Sequence, residues 1–124
     1  TQNALLTIPN FAYHGYEGVA LNLDERERLV KDIGDKNLML LRNHGTLAVG
    51  SSAAAAFVGI FFLERACAQQ VAALSAGREN VLIAPEAAQE ETRNGPAKAM
   101  SGVSGLAWPG LKRKLDRELP GYAS

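Results

Sequence analysis

The sequence predicts an α/β fold, and three observations carry that prediction. Residues 36–42 and 46–49 form two short strand-like segments, the first built on the apolar run Leu38-Met39-Leu40-Leu41, joined at Asn43-His44-Gly45. The first run lacks apolar/polar alternation, as a strand buried on both faces does. Ser51 and Ser52 then open a long alanine-rich stretch with apolar residues at helical spacing, the pattern of an amphipathic helix.

The elements follow in order. Residues 1–10 are mixed and end in Pro9-Asn10, which reads as a loop or short edge strand, and the aromatic-rich residues 11–16 read as irregular. Residues 18–23 suit a short strand or turn. Asp24 is placed to cap a short helix whose first turn carries Glu25 and Glu27, where negative charge meets the positive end of the helix dipole. Leu29, Val30 and Ile33 give that helix an apolar side, and Gly34 stands where a terminating glycine belongs. Between the paired strands, Gly45 is the residue expected to reverse the backbone with positive φ.

Ser51 or Ser52 caps the next helix, which is expected to run to about Ala76 and stop at Gly77. Phe57, Phe61, Glu64, Cys67 and Val71 recur at spacings of three or four, and Ala56, Ile60, Leu63 and Leu74 widen the stripe. At ~1.5 Å per residue this helix spans roughly 35–40 Å. Its unbroken apolar run ends at Glu64-Arg65, short of the ~20 residues a bilayer requires, so no membrane span is expected. Residues 81–84 form a short apolar piece. Pro85 suits the start of a helix over 86–93, with Asn94-Gly95-Pro96 as its stop. Residues 98–105 read as flexible. A final short helix over 109–119 places Trp108, Leu111, Leu115 and Leu119 on one face and ends at Pro120-Gly121.

A chain of 124 residues is one domain or part of one. Lys and Arg (13) balance Asp and Glu (13), so nothing points to electrostatic binding of nucleic acid or of an anionic membrane. The basic run Lys112-Arg113-Lys114 is answered by Asp116 and Glu118 and reads as a solvated helix face. Cys67 is the only cysteine, which excludes an intrachain disulfide and fits a reducing, cytoplasmic setting. It reads as a small buried apolar residue rather than a nucleophile. No signal peptide, glycine-rich phosphate loop, nucleophile elbow or Cys-x-x-Cys is visible.

Chemistry centres on the two histidines. His44 is a metal-capable imidazole in a tight turn at a strand end, although a lone turn histidine is ordinarily a surface residue. Asn43 and Gly45 serve its geometry, Asn43 by bonding backbone locally or by holding the imidazole. Arg42 is a strand-end charge or the partner of an acidic group behind the site. His14, between Tyr13 and Gly15, is either a loop histidine at the cleft mouth or a substitute ligand if its loop folds back. Glu64 falls close to the apolar stripe, as half of an ion pair or as an edge residue reaching water.

The chain resembles the class II aldolase/adducin family. The resemblance is carried by Tyr16-Glu17-Gly18, Leu23-Asp24-Glu25-Arg26, Gly34-Asp35-Lys36, Leu41-Arg42-Asn43-His44-Gly45, Gly50, Phe62-Leu63-Glu64-Arg65-Ala66-Cys67 with Gln70, Trp108 and Leu115-Asp116-Arg117. It implies a three-layer α/β/α sandwich with a mainly antiparallel sheet, of which residues 1–124 are the C-terminal part. It implies that His44 is the third ligand of a divalent metal, usually zinc. The activity implied is that of an aldolase or related lyase, in which metal polarises a small hydroxy-carbonyl or sugar-phosphate-like substrate and stabilises an enediolate. Tyr16 and Glu17 fall in a loop near the family's active site, with His14 beside them. The family's His-x-His pair, which supplies the first two ligands, is absent, and its acid/base glutamate lies upstream, so no catalytic residue is assigned here. The chain starts at Thr1, which fits a truncated or cleaved protein and equally a shortened paralogue. The resemblance further implies a tetramer, with the segment 108–119 and an exposed Trp108 as an interface element. Adducin-type members keep the fold without the metal site and act as structural or interaction modules.

Overall fold

The computed structural model describes residues 1–19, 21–95 and 102–123. Residues 1–10 are helical rather than a loop or strand. Helix α1 (Gln2–Thr7) is capped by Thr1, whose hydroxyl accepts from the Ala4 N–H, and a 3₁₀ turn follows over Ile8–Asn10. A six-residue helix is marginal in isolation. This one lies against a later helix, where Asn3 Nδ2 donates to Gln69 Oε1 at 3.2 Å. Six residues are too few to show a period, which is why the sequence hides it.

Residues 11–16, read as irregular, contain strand β1 (Phe11–His14). It pairs parallel with β2 (Leu38–Leu41), Phe11 opposite Leu38 and His14 opposite Leu41. Helix α2 (Glu25–Ile33) is the crossover that a parallel pair requires. Asp24 occupies its N-cap but makes no side-chain cap bond. β2 then turns into β3 (Gly45–Ala48), antiparallel, with Leu38 opposite Ala48. The three strands are ordered β1-β2-β3, so the sheet is mixed rather than mainly antiparallel. The antiparallel half follows from the tight turn and the parallel half from the crossover helix.

Helix α3 (Ala53–Leu74) begins at Ser52, whose Oγ accepts from the Ala55 N–H at 3.2 Å. It sits close on the sheet: a Cβ on Gly59 would stand 3.1 Å from Leu38 Cδ2. Thr46 Oγ1 donates to the exposed Glu64 carboxylate across the same contact. Glu64 is therefore a hydrogen-bonded edge residue and not half of a buried ion pair. The buried stripe is Val58, Leu63 and Ala66, while Phe57, Phe61 and Val71 face outward. The expected stripe was rotated because α3 is apolar nearly all round, and periodicity then loses its power to choose a side. One window of α3 is long and apolar enough to cross a membrane by length and composition alone (mean hydropathy 1.3).

Beyond α3, a 3₁₀ turn (Arg78–Asn80) leads to an extended segment in which Leu82 and Ile83 are exposed. Helix α4 (Glu86–Asn94) starts after Pro85 as expected, with the proline at the cap. Helix α5 (Val103–Glu118) is longer than the expected one and carries Pro109 inside it. Trp108 is half-buried, its ring edge against Phe57 of α3 at 5.7 Å, rather than exposed. The expected stop at Asn94-Gly95-Pro96 falls where α4 ends, with Gly95 as its C-cap; of the stretch 98–105 read as flexible, 103–105 belong to α5, while residues 96–101 lie outside the described residues.

Strand periodicity sorts the two faces of the sheet. Leu38, Thr46 and Ala48 belong to the face that α3 covers. Their alternates Ala12, His14, Met39 and Leu41 belong to the other face, where His14 meets α2. Met39, at 1% exposure, is the most enclosed large side chain.

Candidate functional site

Both histidines stand at the same end of the sheet. β1 ends at His14, and its register partner Leu41 leads into the turn 42–44. The Arg42 N–H donates to the His14 carbonyl at 3.1 Å and continues the β1–β2 ladder into that turn. The His44 N–H closes the turn onto the Leu41 carbonyl. Asn43, with φ of 52°, is the residue that adopts the left-handed conformation. Gly45, expected to do so, is the first residue of β3 and has no positive φ. Asparagine tolerates that region because its short polar side chain bonds locally. Among the described residues the Asn43 side chain makes no hydrogen bond to the imidazole of His44.

His44 is exposed and lines a small cleft together with His14, Tyr16, Glu17, Glu25 and Arg42. The cleft encloses about 40 Å³. That accommodates an ion or a water but not a sugar phosphate, since ligand pockets are typically about 300–1,000 Å³. A larger cavity of about 250 Å³ lies at the opposite end of the sheet, between Leu6, Asn37, Val49, Ser51 and Phe62, away from both histidines.

His14 is the best-partnered side chain of the group. Only 2% exposed, it presents Nδ1 to Asp32 Oδ2 at 2.7 Å and Nε2 to Glu25 Oε1 at 3.3 Å, both on α2. Glu17 Oε1 stands 3.8 Å from Nε2. The hydrogen bond to Asp32 raises the His14 pKa above its usual value. Burial pulls the other way and is outweighed, with Glu25 and Glu17 adding to the rise. Glu17 in turn is held by Arg28, whose Nε donates to Oε1 at 2.8 Å; this keeps its carboxyl below the ordinary range. The Arg42 guanidinium lies over the Tyr13 ring, 5.3 Å from its centroid, and pairs with no acidic group among the described residues. Burial pushes the Cys67 thiol up, which suits a packing residue and not a nucleophile.

The structure thus brings together His14, Tyr16, Glu17 and His44 as walls of one cleft. Both ring nitrogens of His14 face carboxylates of α2. Among the described residues, no three His, Cys, Asp or Glu side chains are gathered to hold a metal. The described residues alone do not make up a complete metal site. Sequence reading missed Asp32, Glu25 and Arg28. Their signal was present: Glu25, Arg28, Leu29 and Asp32 recur at helical spacing and mark one face of α2. That face points at His14, while Val30, assigned to the apolar side, is exposed.

The family model described as Class II Aldolase and Adducin N-terminal domain matches residues 1–71. The chain belongs to the class II aldolase and adducin family. A candidate class 2 aldolase protein of Caulobacter vibrioides is 64% identical over 99% of this chain and 48% of its own length. The chain therefore spans about half the length of the curated relatives it matches most fully. Rat β-adducin is 37% identical over 67% of this chain and 12% of its own. The crystal structure of an aldolase II superfamily protein from Pseudomonas syringae superposes with a TM-score of 0.91 at 41% identity, covering the whole of this chain and 50% of that one. Its likeness fixes the fold of the aldolase II unit described above.

Proposed function

We propose that this chain is part of a divalent-metal lyase of the class II aldolase type, to which it contributes one metal ligand, His44, and one wall of the substrate cleft. The observation that carries the reading is the exposed imidazole of His44, held on a hydrogen-bonded turn at the mouth of a cleft rather than packed or paired. Zinc is the metal proposed, since an imidazole is a common zinc ligand and a catalytic zinc ordinarily takes three protein ligands and one open position. A metal bound there would act as a Lewis acid on a small hydroxy-carbonyl or sugar-phosphate-like substrate. The remaining ligands and the rest of the substrate pocket belong, in this reading, to the part of the relatives' length that this chain does not match. A cleft of about 40 Å³ supports that division, being too small to enclose such a substrate. Helices against both faces of the sheet support a three-layer domain, and the outward apolar face of α3 supports further burial in that domain or in a homo-oligomer, a tetramer by family resemblance. A cytoplasmic setting completes the reading.

The adducin relatives favour a second reading, a non-catalytic interaction module. Metal content separates the two. After exhaustive dialysis, the full-length protein should retain close to one equivalent of zinc, manganese or cobalt, and His44→Ala should lower it below about a tenth. Full-length protein without metal, or with metal indifferent to His44→Ala, overturns the lyase reading in favour of the module.

A further inference from the structure

His14 has a role that the metal reading leaves unused. Its imidazole is enclosed at 2% exposure between three carboxylates and makes its two closest contacts to opposite ends of α2, Glu25 in the first turn and Asp32 in the last. Both ring nitrogens face acceptors. Only the doubly protonated ring can donate on both sides, because a neutral imidazole turns a lone pair on one carboxylate. The groups facing it are Asp32 and Glu25 from α2 and Glu17 from the following loop, itself paired with Arg28 of α2. The strand side contributes Leu41, Arg42 and His44 to the cleft wall.

We propose that His14 is a proton-operated latch, in which the imidazolium pins α2 and the 15–18 loop onto the end of β1 and so holds the cleft beside His44 in shape. The inference does not depend on metal or on catalysis. When the ring loses its proton, one carboxylate confronts a lone pair, and α2 loses one of its two hydrogen bonds to His14. The folded chain binds the His14 proton more tightly than a free imidazole, whose pKa is about 6.5. The latch is therefore fully engaged below about pH 6.5 and releases as pH rises through the higher folded-state value.

Hydrogen exchange of the intact chain, corrected for intrinsic rates, tests this at about pH 5.5 and about pH 8.5. Amides of α2 and the 15–18 loop should lose protection at the higher pH, about tenfold per unit of raised proton affinity, with α3 as the reference. Asp32→Asn removes one charge at a half-exposed position and should collapse the difference between the two pH values. Equal protection at both pH values in the parent chain, or a difference that survives Asp32→Asn, overturns the latch. An independent readout is nitrogen NMR of His44→Gln, in which His14 is the sole imidazole. A doubly protonated ring titrating above 6.5 supports the proposal, and one titrating at or below it overturns it.

Discussion

Asn43 shows how one residue sets the geometry of a candidate site. Its φ of 52° is a conformation that costs most side chains roughly 1–2 kcal/mol, and it aims the turn that carries His44. Asn43→Val should therefore destabilise the chain by about 1–2 kcal/mol, while Asn43→Gly should be nearly neutral. Urea midpoints of the two variants check this; equal midpoints would mean that the turn is not held in the left-handed region. The Asn-His-Gly motif was legible as a turn, but which of its residues bends the chain was not. Both asparagine and glycine tolerate positive φ, and the hydrogen bond from the His44 N–H to Leu41 decides between them. His14 is the converse case. Its importance depends on Asp32 and Glu25, which sequence distance separates from it and the crossover helix brings back.

At the scale of elements, α5 runs through a proline that the sequence reading turns into a boundary. The sequence places the start of the last helix at Pro109, yet the helix runs from Val103 through it. An interior proline lacks the N–H for the carbonyl four residues earlier and crowds it. Trp108, the residue before Pro109, packs against Phe57 of α3. Pro109→Ala should raise stability by up to about 3 kcal/mol, seen as a higher thermal midpoint with increased helical circular dichroism. No gain would mean that the proline bends α5 onto α3 and that straightening forfeits the contact. Strands β2 and β3 were legible to within two residues because their runs are apolar and end in turn chemistry. β1 was not, because the four residues Phe11-Ala12-Tyr13-His14 are too few to show a clear alternation and gain their pairing only from β2.

For the whole molecule, the unusual feature is how much apolar surface it leaves outside. Phe57, Phe61, Val71 and Leu74 of α3, with Leu82, Ile83 and Leu106 beyond it, are exposed. Exposed apolar side chains in such numbers mark surfaces that associate. The isolated 124-residue chain is expected to self-associate in sedimentation velocity, and Phe61→Asp with Val71→Asp to shift it toward monomer without loss of helical signal. A chain that is monomeric from the outset would show that the outward face of α3 is tolerated by solvent.

Local chemistry in the sequence determined the hairpin around Asn43–Gly45, the Ser52 cap, the extent of α3 and the exposed placement of His44, since each depends on residues near one another in the chain. It also carried the family resemblance, because motifs keep their order and spacing whatever the packing. Tertiary structure alone decided that β1 joins β2 in parallel, that α3 buries Val58 and Ala66 rather than Phe57 and Phe61, and that His14 is locked between the two ends of α2. The physical reason is the same in each case. Where a segment is too short to show a period, or apolar on every side, its own residues leave several placements nearly equal in free energy, and only contacts distant in sequence choose among them.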